Sequence, residues 1–381
     1  MIYTSIDEIS FVFLPKEVLS LEDWEDFSKE IIPFLVQKLK LDVLGKLQES
    51  PKGFAGYDKV FIPESNGMLL LAYNQLMPNM GVYLKFSAGA LRQYLKARKL
   101  LIPQYQICNL VHDFDSVTNY FSGECRVSKI DMCVDFVDEG ILVSDLYKSL
   151  VSEKLELKNA SGRKNVSQYS AVLENNEVQT IYIGSKKSKT LALLRIYDKK
   201  QEQIEKKGDF LNLALKCDSF TRFEASYRKG YAKQIGIDMM NVKDDESLSR
   251  FIFHYFCEKY QFYNGENITL MSKYMLSMSK SDFSSLVTET TSGSDIEGTT
   301  RYLIENSGLA SYIYRLNAIY GPEAFDDFLK LLQHYIEYNY RPNDDVIAFL
   351  NSKTELLRNE YSKTKNYPWK PLKEYFDQKE D

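Results

Sequence analysis

The sequence predicts an α+β protein, with an antiparallel sheet core of two sheet units flanked by helices and a mainly helical C-terminal portion. Strand-helix-strand blocks occur on both sides of residue 122, and beyond Gly236 the alternating segments give way to helical, aromatic-rich ones. No internal repeat relates the two blocks. The expected division is an α+β domain over 1–236 and a helical domain over 237–381, with a flexible Ser/Thr/Gly-rich segment near 281–300.

The elements follow in order from periodicity and punctuation. Ile9, Phe11 and Phe13 mark a strand over 7–14 that stops at Pro15. Trp24, Phe27, Ile31, Phe34, Leu35 and Leu39 have helical spacing within 21–47, where Pro33 is expected to bend or divide the helix. Three strands follow (KVFIP, GMLLLAYN and GVYLKFS), with turns at 63–67 and 77–81. Helices are expected over 87–99 and 104–121, then a strand over 126–137, a helix over 144–154 and a polar loop over 158–168. An apolar hairpin runs through 180–197. A helix over 198–207 with Asp198 near its cap and a strand over 221–227 complete the first portion. Beyond it, helices are expected over 245–262, 307–340 and 346–361.

The chain has 381 residues, of which 44% are hydrophobic and 27% charged, enough for a sizeable core. No apolar run reaches the roughly 20 residues of a membrane helix, and the first residues lack a signal-peptide layout, so a cytoplasmic protein without membrane attachment is expected. The five cysteines are scattered without a CxxC pair, which argues against a disulfide scaffold or a structural zinc site. His112, His254 and His334 are far apart, so any metal must be held by carboxylates. A formal charge of −5 disfavours a generally basic surface, yet between Lys186 and Lys233 basic residues outnumber acidic ones about two to one. Such a run is often only a solvated face.

Strand parity groups the polar residues. Lys129, Asp131, Cys133 and Asp135 share one face, and Ile130, Met132, Val134 and Phe136 the other. Asp131 and Asp135 would lie about 13 Å apart on an extended strand, too far to bind one cation together without a bulge. Arg222, Glu224, Ser226 and Arg228 likewise share a face, making Glu224 a third candidate carboxylate. Carboxylates with waters suit Mg²⁺ or Mn²⁺. The plainer alternative is that Asp131 and Glu224 form ion pairs with Lys129 and Arg222.

Arg195 and Tyr197 share a face, followed by Asp198, Lys199 and Lys200. A phenol is a weak nucleophile near neutral pH, but adjacent cations and a metal-polarised phosphodiester make its attack feasible. The alternative, among 27 tyrosines, is a ring packed in a sheet, with Tyr182 and Tyr227 as substitute nucleophiles.

The segments VSKIDMCVDF, IYIGSKKS with LLRIYDKKQEQ, and TRFEASYRKGYAKQI, together with IDEISFVF and MGVYLKFSAGALRQY upstream, resemble the Rep_trans family. This family comprises replication initiators of rolling-circle plasmids and related relaxases of integrative conjugative elements. The resemblance spans roughly residues 6–236. It implies a metal-dependent, origin-specific DNA nicking and joining enzyme with Tyr197 as nucleophile and Arg195, Lys199 and Lys200 as catalytic cations. It places an acid at both 131 and 135; one of them, with Glu224 and Asp198, is expected on the metal, and Asp198 is alternatively the acceptor of the phenolic proton. Where the family tends to carry an arginine, this chain has Lys129. DNA contacts are expected from Lys186, Lys187, Arg222 and Arg228. The implied partners are an origin hairpin and the single strand at the nick, a host helicase, and a second copy of the chain as a homodimer. The same carboxylates acting on water would instead make a hydrolytic nuclease, and a decayed initiator would be a DNA-binding regulator.

Overall fold

In the computed structural model the described residues are 1–16, 19–64, 69–120, 123–164, 169–174, 177–185, 190–279, 283–286, 300, 303–304, 307–342 and 344–365. The chain divides into two compact units, 1–287 and 288–381, so the helices and hairpin of 237–279 fold with the sheet. Most of the expected flexible segment near 281–300 lies outside the described residues.

The first unit is built on a ten-stranded antiparallel sheet. Its first half comprises β1 (Ile2–Leu14), β2 (Leu47–Glu49), β3 (Lys59–Pro63), β4 (Leu69–Tyr73) and β5 (Val82–Phe86). The second half comprises β6 (Glu124–Val137), β8 (Tyr169–Glu174), β9 (Glu177–Ile183), β10 (Ala192–Asp198) and β11 (Phe220–Arg228). The two halves join edge to edge where β1 pairs with β6, giving the order β2-β3-β4-β5-β1-β6-β11-β10-β9-β8. The two sheet units anticipated from the sequence are thus halves of one sheet. A separate three-stranded sheet, formed by β7 (Glu156–Lys158), β12 (Gln261–Asn264) and β13 (Asn267–Ile268), was not anticipated. Strands of two to four residues carry too little alternation to be recognised.

Helices α1 (Leu21–Leu39), α2 (Ala88–Leu101), α3 (Ile107–Tyr120) and α4 (Val143–Val151) lie near their expected positions. Pro33 neither divides nor ends α1. It is exposed, so the carbonyl it frees can be hydrated, and the helix stops at Lys40, which turns left-handed at φ 54° and bonds back to Val36 and Gln37. A 3₁₀ turn over Leu41–Leu44 and β2 occupy the residues expected to extend that helix.

After β10 come α5 (Lys199–Lys206) and α6 (Leu211–Ala214); after β11 come α7 (Lys229–Met239), α8 (Asp245–Lys259) and, following the small sheet, α9 (Leu270–Met278). The apolar side of the central strands packs against α8. Phe223 lies 4.9 Å from Phe136 and 6.2 Å from Phe256 between ring centroids, and the Tyr227 hydroxyl donates to the Tyr255 carbonyl at 2.7 Å. Helix α7 approaches β6 closely at Gly236, where an added Cβ would stand 2.6 Å from Val127 Cγ2.

The second unit contains helices Leu309–Tyr320, Glu323–Tyr338 and Asp344–Thr364. The helix expected over 307–340 is split at Gly321-Pro322, where Gly321 adopts φ 89° and accepts the end of one helix while Pro322 begins the next. The hairpin is pinned by Tyr312 against Phe328 at 5.3 Å between ring centroids. No helix among the described residues is long and apolar enough to cross a membrane.

Candidate active site

Opposite the α8-packed side, the four central strands place their charged side chains in register. Tyr197 stands across from Arg222, and Arg222 across from Asp135. Arg195 stands across from Glu224, Glu224 across from Cys133, and Ser226 across from Asp131, which faces Glu8 on β1. Alternation along each strand, together with antiparallel pairing, therefore collects residues spread over more than two hundred positions onto one surface.

Asp7 joins them through a β-bulge. Ile6 pairs with Met132 and Glu8 with Asp131, leaving Asp7 as the extra residue. The bulge inverts the strand's parity. Ile6 and Ile9 both pack in the core, whereas Asp7 reaches Arg222 and Glu8 reaches Lys129 at 2.7 Å on the charged face. Without the bulge, Asp7 would share the buried side of Ile9, which is why strict alternation does not reveal it.

The most buried ion pair among the described residues is two-pronged. Arg222, only 1% exposed, donates from Nε to Asp135 Oδ1 at 2.6 Å and from Nη2 to Oδ2 at 2.7 Å, while Nη1 meets Asp7 Oδ1 at 3.1 Å. Arg222 is thus engaged with carboxylates, and both Asp135 oxygens are spent on it. Glu224 pairs with Arg195 at 2.6 Å, so its partner is not the Arg222 anticipated in the ion-pair alternative. Asp131 does pair with Lys129, at 2.9 Å, but its Oδ1 is buried with no hydrogen-bond partner among the described residues. Burial raises the Asp131 carboxyl above its ordinary value, with Lys129 opposing. Burial likewise raises Glu224, opposed by Arg195 and reinforced by Asp131.

Tyr197 is 6% exposed. Its hydroxyl lies 3.3 Å from Lys199 Nζ, and the Arg195 guanidinium sits 4.6 Å from the ring centroid. Burial pushes the phenol well above its ordinary value, Arg222 works against that shift and Glu224 adds to it, so the resting tyrosine is neutral. Lys199 is itself buried and bridges Tyr197 to Glu202, 2.5 Å away. Burial disfavours the Glu202 charge, but Lys199 more than compensates and holds this carboxyl at about 2.

The other expected residues are placed differently. Asp198 caps α5, accepting from the Gln201 amide at 2.8 Å. Lys200 points to the Asp218 carbonyl at 3.2 Å, away from the phenol. Arg228 lies opposite Lys129 with a buried Nε that has no hydrogen-bond partner among the described residues. Lys186 and Lys187 lie outside the described residues. Tyr227 faces the α8 side and Tyr182 stands in register with Arg195.

Among the described residues, Asp7, Cys133 and Glu224 form a group able to hold a metal ion, with ligand atoms all within 4.8 Å of one another. Of the carboxylates expected on a metal, only Glu224 belongs to it. The Glu224 and Asp7 oxygens are hard donors of the kind Mg²⁺ or Mn²⁺ prefers, while Asp131, whose charge acts on Glu224, lies outside this group. The Cys133 thiol is fully buried and its proton is held tightly by that burial, so it is a weak donor to such ions.

Comparison with known proteins agrees with this region of the chain. Residues 125–295 match the family model described as replication initiation factor, Rep_trans, in line with the resemblance carried by the strand motifs. The matched segment holds Asp131, Cys133, Tyr197, Arg222 and Glu224, whereas Asp7 reaches the site only through the fold. No curated protein matches the chain. Among solved structures it is similar to the rolling circle replication initiator protein from Geobacillus stearothermophilus, with 14% identity and a TM-score of 0.48, covering 75% of this chain and 100% of that one.

Proposed function

We propose that the chain is an origin-specific DNA nicking and joining enzyme that starts rolling-circle replication, with Tyr197 as its nucleophile. The observation that carries this reading is the meeting, on one face of adjacent strands, of a shielded tyrosine, three cations and a carboxylate group. In the reaction, the Tyr197 oxygen bonds to phosphorus as the P–O3′ bond breaks. The phenolic proton is lost and the departing 3′ oxygen gains one, leaving a 3′-hydroxyl and a 5′-phosphotyrosine. The reverse step rejoins the strand without an external energy source.

Each side chain has a part in this scheme. Lys199 stabilises the phenolate as the proton leaves. Arg195 holds the ring and offsets charge on the phosphate. Arg222 and Asp135 lock β6 to β11, and Arg222 positions Asp7; this is a supporting role distinct from the DNA contact and metal ligation expected of them. Asp7 and Glu224 would hold Mg²⁺ or Mn²⁺, with the charge of Asp131 acting on Glu224. The chemistry such an ion supplies when bound is polarisation of the phosphate. Arg228, Lys186 and Lys187 remain proposed DNA contacts, the second unit a proposed recognition or oligomerisation element, and a host helicase a proposed partner. A relaxase of an integrative conjugative element would use the same chemistry.

The test incubates supercoiled plasmid carrying this gene and its flanks with Mn²⁺ and either the native protein or Tyr197→Phe, followed by denaturing electrophoresis with and without protease. Tyr197-dependent nicking with protein retained on the 5′ end is expected. Equal nicking by both proteins without an adduct would indicate water as nucleophile, and metal-independent binding without cleavage a regulator.

A further inference from the structure

The charged face has one cation whose partners are unequal. Arg92 on α2 donates from Nη1 to Asp7 Oδ1 at 3.1 Å and from Nε to Asp209 Oδ2 at 2.8 Å. Asp7 belongs to the group it forms with Cys133 and Glu224, is only 16% exposed and is held also by Arg222. Asp209 is different: its side chain is 66% exposed, and that of Arg92 is 37% exposed. An ion pair this open is weak and readily exchanged.

Asp209 is nevertheless placed with care. It sits in the turn between α5 and α6, where Gln203 Oε1 accepts from the Phe210 amide at 2.8 Å. Gly208 lies so close to that amide group that an added Cβ would stand 2.4 Å from Gln203 Oε1. The Phe210 ring that follows lies 5.9 Å from the guanidinium carbons of both Arg92 and Arg222. The turn therefore lays a ring beside two guanidinium groups and presents a carboxylate to the more exposed one. A guanidinium fork beside a carboxylate group able to hold a cation suits a phosphate, which can replace a carboxylate as a two-pronged acceptor.

We propose that Arg92 binds a backbone phosphate of the DNA beside the Asp7–Glu224 group, and that Asp209 occupies this position until DNA displaces it. The inference rests on the nicking reading of the same site and adds a substrate contact that lies outside the matched family segment.

The test measures binding of a fluorescent single-stranded oligonucleotide to the full chain by anisotropy, across a range of salt, for native protein, Asp209→Asn, Arg92→Gln and the double variant. Asp209→Asn is expected to tighten binding about two- to fivefold. Arg92→Gln should weaken it about tenfold or more and reduce the slope of log K against log salt by about 0.7, the contribution of one phosphate on a single strand. In the Arg92→Gln background, Asp209→Asn should have no further effect. Equal tightening by Asp209→Asn in both backgrounds would reveal only a general charge effect and overturn the proposal, as would no change in the native background; either result leaves the nicking reading standing. Failure of every protein, native included, to bind the oligonucleotide would remove that reading and this inference together. Should circular dichroism show Arg92→Gln unfolded, Arg92→Lys keeps the charge without the fork, and it too should bind more weakly and suppress the Asp209 effect.

Discussion

Replacing Asp135 by asparagine isolates the role of the Arg222 clamp. The carboxylate and guanidinium are 5% and 1% exposed and share two hydrogen bonds of 2.6 and 2.7 Å. An asparagine leaves Arg222 buried with Asp7 at 3.1 Å as its remaining carboxylate. Breaking a buried pair from one side costs about 3–5 kcal/mol, because the abandoned charge keeps its desolvation penalty. Urea unfolding followed by the fluorescence of Trp24, in a Trp369→Phe background, measures this loss in the first unit. The double variant Asp135→Asn/Arg222→Gln should lose less than the sum of the two single changes, since it leaves no unpaired charge at this pair. The loss should be the same in chelator and in Mn²⁺, because the clamp is independent of any metal. A cost under about 1 kcal/mol, typical of an exposed pair, would refute the assignment. A loss seen only with Mn²⁺ present would return Asp135 to the metal.

Three further outcomes follow from particular contacts. Gly236→Ala should destabilise by about 1–3 kcal/mol because the new methyl group meets Val127, although alanine normally favours a helix; Gly230→Ala, with open space around it, should be neutral or gain about 0.5 kcal/mol, and urea midpoints distinguish the two. Glu202 has a folded value near 2, below the unfolded value of about 4.3, so its stabilisation is present above about pH 4.3 and is lost as pH falls toward 2. The stability gap between native protein and Glu202→Gln, measured as urea midpoints, should therefore be full at neutral pH and narrow on acidification. Saturating Mn²⁺ should raise the melting temperature of the native protein, by about 2.7 kcal/mol of stabilisation at a hundredfold excess over Kd, and this shift should be absent from Asp7→Asn and Glu224→Gln.

Much of the charged face was readable because it lies on long, regularly alternating strands. Parity alone put Asp131, Cys133 and Asp135 together, and likewise Arg195 with Tyr197 and Arg222 with Glu224; pairing β6, β11 and β10 then brought the groups into register. Parity could not say which partner each charge would take, since that depends on strand register. Asp135 therefore pairs with Arg222, while Glu224 takes Arg195. Asp198 fell to a local competition: next to a helix start, its carboxylate caps the backbone. Asp7 was hidden by a bulge that reverses the expected face, and Arg92 and Phe210 by residing on elements that meet the sheet only after folding.

The most direct test of the central claim is identification of the amino acid joined to DNA. After the nick is mapped, a single-stranded oligonucleotide spanning it is cleaved under conditions in which the upstream fragment, ending in the new 3′-hydroxyl, dissociates. The trapped protein is then digested and sequenced by mass spectrometry. The account predicts a nucleotide phosphate on Tyr197, and no adduct with Tyr197→Phe. A phosphate on Tyr182, or cleavage that leaves no protein-bound DNA, would contradict it.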